Sequence, residues 1–314
     1  MTQPDTAFVS NARKILTQVS TVVIGKNKTL LWVLACILAK GHILMEDIPG
    51  VGKTTMAVAF SRTLGLRTKR VQFTPDVLPS DVTGYSILSQ DGNLIYKPGA
   101  IFCNLFLADE LNRATSRTQS ALLEAMEEGR VTVDGNTYEL EAPFCVIATQ
   151  NPTGAAGTQP LPDSQADRFM VRLTMGYPGP EDEIAMVYAR QVSNPLDDLS
   201  AVISVEELIA MQKQVDRTYI SKEVTSYIVS LIHKTRTHPM IELGASPRGT
   251  LAVVAMSKAL AQLRGRNYVL PKDVQEVFVH TISHRITMKP EAQHILLQDL
   301  LHQILQSLRA PSVN

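Results

Sequence analysis

A glycine-rich turn carrying a lysine and hydroxyls, Gly50-Val51-Gly52-Lys53-Thr54-Thr55, and an apolar run ending in two acids, Leu105-Phe106-Leu107-Ala108-Asp109-Glu110, are the stretches of this chain best suited to chemistry. The glycines let backbone N–H groups close on an anion, and a helix opening at Lys53 would turn its positive end towards phosphate. Lys53 can reach the β- and γ-phosphates of a nucleotide, and the hydroxyl of Thr54 can ligate Mg²⁺. The four apolar residues before Asp109 predict a buried parallel strand that delivers its acids at the carboxyl edge of a sheet. A glycine-lysine-threonine triplet arises by chance in many chains. Followed by the second motif, it predicts binding and hydrolysis of a nucleoside triphosphate with Mg²⁺ as the metal held.

One position departs from the general pattern G-x-x-x-x-G-K-[ST]: Asp47 stands where the first glycine would be, and the loop continues through Pro49. Asp47 is expected at the end of the preceding strand rather than beneath the phosphates, so a side chain is tolerated there. Gly50 and Gly52, where backbone must approach phosphate, are both present.

The elements that must position these residues follow from periodicity. Phe8, Ala12, Ile15, Leu16 and Val19 have helical spacing over residues 6–19, and a second helix over 27–39 ends at Gly41, placed at C′. Residues 43–45 form a first strand that leads into the phosphate loop and its helix, which Gly65 ends. Further strands are expected at 69–73, 144–149 (finishing at Gln150-Asn151-Pro152) and 169–173. Strands alternating with helices predict a parallel α/β sheet covered on both faces. Two hairpins interrupt the scheme, turning at Asp91-Gly92 and at Asp134-Gly135, because Asp-Gly between alternating apolar residues accepts φ > 0. Tyr177-Pro178-Gly179-Pro180 then breaks the chain. Only helical periodicity follows, over 181–192, 205–217, 221–238, 246–264, 271–285 and 291–309, with Pro271 at N1. The predicted domains are 1–178, α/β, and 179–314, all-helical.

At 314 residues the chain can hold both. Apolar content of 45% against 19% charge describes a folded protein rather than a disordered one. Zero net charge gives no support for strong nonspecific binding of nucleic acid or membrane. Residues 1–5 lack the basic and apolar regions of a secretory signal, and the longest apolar run, 30–39, is broken by Lys40 and too short to span a bilayer. Cys36, Cys103 and Cys145 are odd in number and lie among apolar neighbours, which reads as buried thiols in a reducing compartment, the cytoplasm.

Six motifs in order resemble those of the MoxR family of AAA+ ATPases: Asp47-Ile-Pro-Gly-Val-Gly-Lys-Thr54, Phe73-Thr-Pro-Asp-Val-Leu-Pro-Ser-Asp81, Leu107-Ala-Asp-Glu-Leu-Asn-Arg-Ala114, Ala148-Thr-Gln-Asn-Pro152, Leu161-Pro-Asp-Ser-Gln-Ala-Asp-Arg-Phe169 and Gly244-Ala-Ser-Pro-Arg248. The resemblance covers nearly the whole chain. Asp47 is what that family carries, and Leu111 and Ser164 are mild variations. It implies an AAA+ P-loop core with a parallel sheet and two β-hairpin inserts, followed by a smaller all-helical lid. It also implies roles. Asp109 would hold Mg²⁺ through water, Glu110 would orient and polarise the attacking water, and Asn151 would be the polar sensor that helps place it. Arg168 would be the arginine finger reaching the γ-phosphate of a neighbouring subunit, worth on the order of 10³–10⁵ in rate, with Arg113 its rival. Arg248 would be the arginine that reports nucleotide state to the second domain of its own chain. Val22 with Val23, Ile24 and Gly25 fits a backbone-and-apolar slot for adenine. Taken alone, Glu110 could be a solvated carboxylate, Asn151 a turn former before Pro152, Arg168 an ion pair with Asp167, and residues 22–25 merely a helix exit.

A finger donated in trans requires a neighbour, and head-to-tail contacts close into a ring, expected as a hexamer. The resemblance further implies chaperone-like remodelling of a client protein, often a metalloenzyme during cofactor insertion, with a von Willebrand factor A-domain adaptor. Two rivals stay open: a chelatase- or helicase-like motor, and a nucleotide-gated scaffold that turns over too slowly for work. Other constellations fade. His280 and His284 lie at i, i+4, but no Glu follows His280 as zinc hydrolysis would need. Spacing places no Ser-His-Asp or Cys-His group. Tyr85 could grip a client or simply pack.

Overall fold

The computed structural model describes residues 6–48, 50–151, 161–191, 194–292 and 294–312. Helix α1 (Thr6–Ser20) buries Phe8, Ala12, Ile15 and Val19, the stripe its spacing predicts. α2 (Asn27–Leu38) is apolar nearly all round and buries eight side chains, Trp32 among them. Its end differs from expectation. Lys40, not Gly41, takes the left-handed C′ position at φ 59°, while the Gly41 N–H returns to Cys36 O and that of Lys40 to Ile37 O. Gly41 is required instead by crowding, since a Cβ there would sit 2.6 Å from Met170 Cβ.

β1 (Ile43–Glu46), α3 (Lys53–Thr63), β2 (Thr68–Gln72), the short α4 (Pro79–Thr83), β3 (Gly84–Leu88), β4 (Leu94–Pro98), β5 (Leu105–Asp109), α5 (Ser116–Glu128), β6 (Arg130–Val133), β7 (Asn136–Glu139), β8 (Cys145–Gln150), the single turn α6 (Asp163–Ala166) and β9 (Val171–Leu173) follow. Five of these strands form one parallel sheet in the order β2-β5-β8-β1-β9. β5 and β8 lie inside it, and all five residues of β5 are buried, which explains the unbroken apolar run. β3–β4 and β6–β7 are the two expected hairpins. In the second, Val133 faces Asn136 across Asp134 (φ 50°) and Gly135 (φ 80°), the two-residue turn that Asp-Gly favours. The hairpins lean together through stacked rings of Tyr96 and Tyr138, 3.8 Å between centroids.

After the break come α7 (Pro180–Ala189), α8 (Val205–Asp216), α9 (Lys222–Thr237), β10 (Ile241–Leu243), α10 (Pro247–Leu263), α11 (Pro271–Ile282), β11 (Thr287–Met288) and α12 (Leu297–Ser307). This part is helical, as the periodicity predicts, with one small antiparallel pairing, β10–β11, that strands of three and two residues did not reveal. α12 starts later than expected, behind a 3₁₀ turn at Pro290–Ala292. The three cysteines are free and buried. One apolar core joins the two halves, where α1, α2 and α3 pack with α8, α9, α10 and α11, and a second, around Phe73, Phe106, Leu122 and Phe169, lies within the α/β part.

Candidate nucleotide site

Parallel topology brings the ends of β1, β5 and β8 to one edge, where ligands of open α/β sheets bind. There a cavity of about 340 Å³ is lined by Gly50, Gly52, Lys53, Thr54, Thr55, Arg70, Gln72, Asp109, Glu110 and Asn151. Gly50 (φ 84°) and Gly52 (φ 93°) both need the left-handed region, and Gly52 is the residue on which α3 opens. The buried Lys53 ammonium donates to Asp47 O (2.6 Å) and Ile48 O (3.2 Å). Desolvation lowers its pKa, opposed by the carboxylates of Asp47, Asp109 and Glu110. The Asp47 side chain bridges two segments, and its Oδ1 accepts from the N–H of Ile48 (2.9 Å). Its Oδ2 accepts from the N–H groups of Met175 (2.5 Å) and Gly176 (2.7 Å), beyond β9.

Asp109 is held on three sides. Arg70 donates to its Oδ2 through Nη2 (2.7 Å) and Nε (3.2 Å), the Thr149 hydroxyl to Oδ1 (2.6 Å), and the Thr54 hydroxyl reaches Oδ2 at 3.5 Å. An oxygen-only pair of Thr54 and Asp109 fits Mg²⁺, a hard cation that keeps most of its water. Glu110 sits at φ 55°, a conformation uncommon outside glycine and often found where function demands it. Its carboxylate accepts from Asn151 Nδ2 (3.1 Å) and Arg113 Nη1 (3.0 Å), and its N–H donates to Thr149 Oγ1 (2.9 Å). Arg113 is thereby engaged by its own chain's acid.

A larger cavity, about 560 Å³, adjoins the first through Gly50, Gly52 and Thr55. Val22, Val23, Ile24, Val51, Met175, Tyr177, Pro178, Met186 and Val187 give it a mostly apolar wall, supplied jointly by the turn after α1, the phosphate loop and α7. Gly25 (φ 75°) fixes the turn: a Cβ there would sit 2.1 Å from Asp182 Oδ2 on α7.

Arg168 and Arg248 are elsewhere. Both line a third cavity of about 310 Å³ with Lys40, His42, Glu127 and Arg285. Arg168 Nε lies 3.4 Å from Glu127 Oε2, and Arg248 meets Glu127 Oε1 and, at 3.4 Å, Asp167 Oδ2. The alternative reading of Arg168 as an ion pair with Asp167 is not what the structure shows: its partner is Glu127. Arg248, expected to report its own chain's nucleotide state, stands at the start of α10 beside the Asp167–Arg168 turn and is not among the residues lining the phosphate cavity. His280 and His284 also part company. His280 packs on Trp32, ring centroids 5.0 Å apart, whereas the buried His284 donates from Nε2 to Phe169 O (2.8 Å).

Comparison with known proteins gives the family and the fold. The family model for "ATPase family associated with various cellular activities (AAA)" matches residues 42–171, and that for "AAA lid domain" matches 233–304. A crystal structure of a candidate ATPase from Cytophaga hutchinsonii superposes with a TM-score of 0.89 at 34% identity, covering 98% of this chain and 96% of that one. The uncharacterised protein YeaC of Bacillus subtilis is 44% identical over 95% of this chain and 94% of its own length. Chaperone MoxR1 of Mycobacterium tuberculosis is 34% identical over 98% of this chain and 84% of its own length. The chain belongs to the MoxR family of AAA+ ATPases.

For a MoxR protein the phosphate loop, the acidic pair and Asn151 stand together at the sheet edge, while the two arginines Arg168 and Arg248 form a separate group. Pro49 and Pro152, quoted with the motifs, lie outside the described residues. Sequence reading missed three side chains. Arg70 comes from the edge strand β2, where only its alternation with apolar Val71 hinted at a face turned to the acids. Thr149 lay inside a motif already noted, one residue before the sheet edge. Arg285 had no local signal at all, since the acid and the turn it grips, Asp167 to Met170, are more than a hundred residues away in sequence.

Proposed function

We propose that the chain binds ATP with Mg²⁺ across the two adjoining cavities and hydrolyses it where two copies meet in a closed ring, expected as a hexamer. The observation that carries this reading is the split of the machinery: Lys53, Asp109, Glu110 and Asn151 face one cavity, and Arg168 with Arg248 faces another. Arg70 and Arg113, the arginines near the chain's own phosphate cavity, are committed to Asp109 and Glu110. A head-to-tail neighbour supplies what each site lacks.

In this reading the N–H groups around Gly50–Gly52 and the Lys53 ammonium grip the phosphates, displacing the lysine from the Asp47 and Ile48 carbonyls. Thr54 and Asp109 would hold Mg²⁺, which neutralises β/γ charge when bound. Glu110, tethered by Asn151, takes a proton from the attacking water and aligns it. The neighbour's Arg168 and Arg248 stabilise charge on the transferring phosphoryl group. Purine fits the apolar cavity beside Val23, Ile24 and Gly25, in contact with α7, so the helical part would register nucleotide turnover and move the hairpins. We place the division between the two parts at 178–179. The work performed is chaperone-like, as the name of MoxR1 says of that protein, on a client presented by a von Willebrand factor A-domain adaptor. No helix among the described residues is long and apolar enough to cross a membrane.

Phosphate release and nucleotide affinity, measured on wild type, Glu110→Gln and Lys53→Ala, test the core of this reading. Glu110→Gln should keep ATP affinity and lose at least about 10²-fold in turnover, the scale of a lost general base, whereas Lys53→Ala should lose affinity. Full turnover in Glu110→Gln would overturn it.

A further inference from the structure

We propose that Arg285 is a positioning residue for Arg168: it fixes the turn that presents Arg168 to the neighbouring copy, and so ties the attitude of the helical part to catalysis in the next subunit. The inference rests on the reading of Arg168 as acting on a neighbour.

Arg285 lies in the 3₁₀ turn Ser283–Arg285 that ends α11, and only 1% of its side chain is exposed. Its guanidinium spends most of its donors on the residues bracketing Arg168. Nε donates to Asp167 Oδ1 (2.8 Å), Nη2 to Asp167 O (3.0 Å) and Phe169 O (2.6 Å), and Nη1 to Met170 O (3.1 Å). A further bond, to Thr281 O, anchors the guanidinium to its own helix, and Nη1 also lies 3.0 Å from His284 Nε2. His284, next in the same turn, reinforces Phe169 O, and Ser246 Oγ at the start of α10 reaches both oxygens of Asp167 (3.1 and 2.9 Å). Carbonyls on both sides of Arg168 are therefore fixed by donors from the helical part. The Arg168 side chain itself has a looser hold, Glu127 at 3.4 Å with 30% exposure, so it can leave that acid for a phosphate.

A fork of fixed geometry suits this task better than burial alone requires. A buried guanidinium–carboxylate pair seldom adds stability over an apolar pair of the same shape, but it does specify one arrangement. Here that arrangement is the direction of the turn. The helical part also carries α7, which walls the apolar cavity at the chain's own nucleotide site. Rotation of that part would be delivered, through Arg285, to the arginine aimed at the adjacent site.

The test is subunit mixing with Arg168→Ala, Arg285→Lys and Asp167→Asn, each combined with an excess of Glu110→Gln protein, whose own sites are dead but whose Arg168 is intact. Arg285→Lys retains the charge with a single-point donor, and Asp167→Asn cuts the clamp from its other side, so the test does not depend on one variant folding. Alone, both clamp variants should keep KM and ATP affinity near wild type and lose about 10²-fold in kcat, the scale of a misplaced catalytic group. Mixed with Glu110→Gln, all three should regain phosphate release well above the sum of the separate proteins. Recovery of Arg168→Ala without recovery of the clamp variants overturns the positioning role and leaves the shared site standing. Failure of Arg168→Ala itself to recover overturns the shared-site reading beneath it. A clamp variant with wild-type kcat, or one that loses ATP affinity in step with activity, also overturns the proposal.

Discussion

Removing the Asp47 carboxylate would leave the Met175 and Gly176 N–H groups without an acceptor now 2.5 and 2.7 Å away. Bonds to a charged acceptor contribute about 1.5–3 kcal/mol each, and buried donors left unmet cost more than they gain elsewhere. Asp47→Gly, which completes the general glycine pattern, should therefore lower unfolding stability by about 3 kcal/mol and bring no gain in ATP affinity, because Gly50 and Gly52 already give the backbone its approach. Denaturant midpoints and nucleotide titration on the variant check both halves; a stabilised variant would refute the structural role. At this scale much of the site was legible: glycines at the loop, a lysine, and two acids after an apolar run declare their chemistry by type and spacing. Arg70 and Arg285 were not, since nothing near them in sequence marks the acids they meet.

Elements are positioned by a few side chains that bridge them, and His42 is one. It precedes β1, donates from Nε2 to Met126 O (3.0 Å) in the last turns of α5, and accepts at Nδ1 from Val146 N–H (3.0 Å) in β8. Only the neutral ring can do both. Burial pushes its pKa from 6.5 down to about 4. A folded-state value below the unfolded one means that, between these limits, the unfolded chain takes up a proton that the folded chain refuses. The stability is complete above about pH 6.5 and lost as pH falls towards 4, by roughly 3 kcal/mol in all. Melting temperature followed from pH 7 to 4 should fall, and His42→Gln should flatten that slope without abolishing it, since burial lowers His284 as well. An unchanged slope would contradict the assignment. The parallel strands, the two hairpins and the later helices followed from periodicity, whereas α4, α5 and α6 were not among the elements expected. What local pattern could not give were ends and short pairings: the left-handed Lys40, the β10–β11 ladder and the late start of α12 are all decided by tertiary contacts.

Across the whole molecule, the position of the helical part could not be read from its sequence. α1 and α2 share a core with α8 and α10, and that packing carries Arg248 to the face of Arg168 rather than to its own chain's phosphate cavity. The result is a subunit whose Lys53, Asp109 and Glu110 line one cavity and whose Arg168 and Arg248 line another. In the proposed reading, such a subunit is half of two sites. Specific ATPase activity measured against protein concentration, for wild type and Arg168→Ala, tests this most directly. Turnover per subunit should climb with concentration and level off as rings fill, and Arg168→Ala should stay low throughout, by on the order of 10³-fold at saturation. Turnover that is independent of concentration and insensitive to Arg168 would contradict the account.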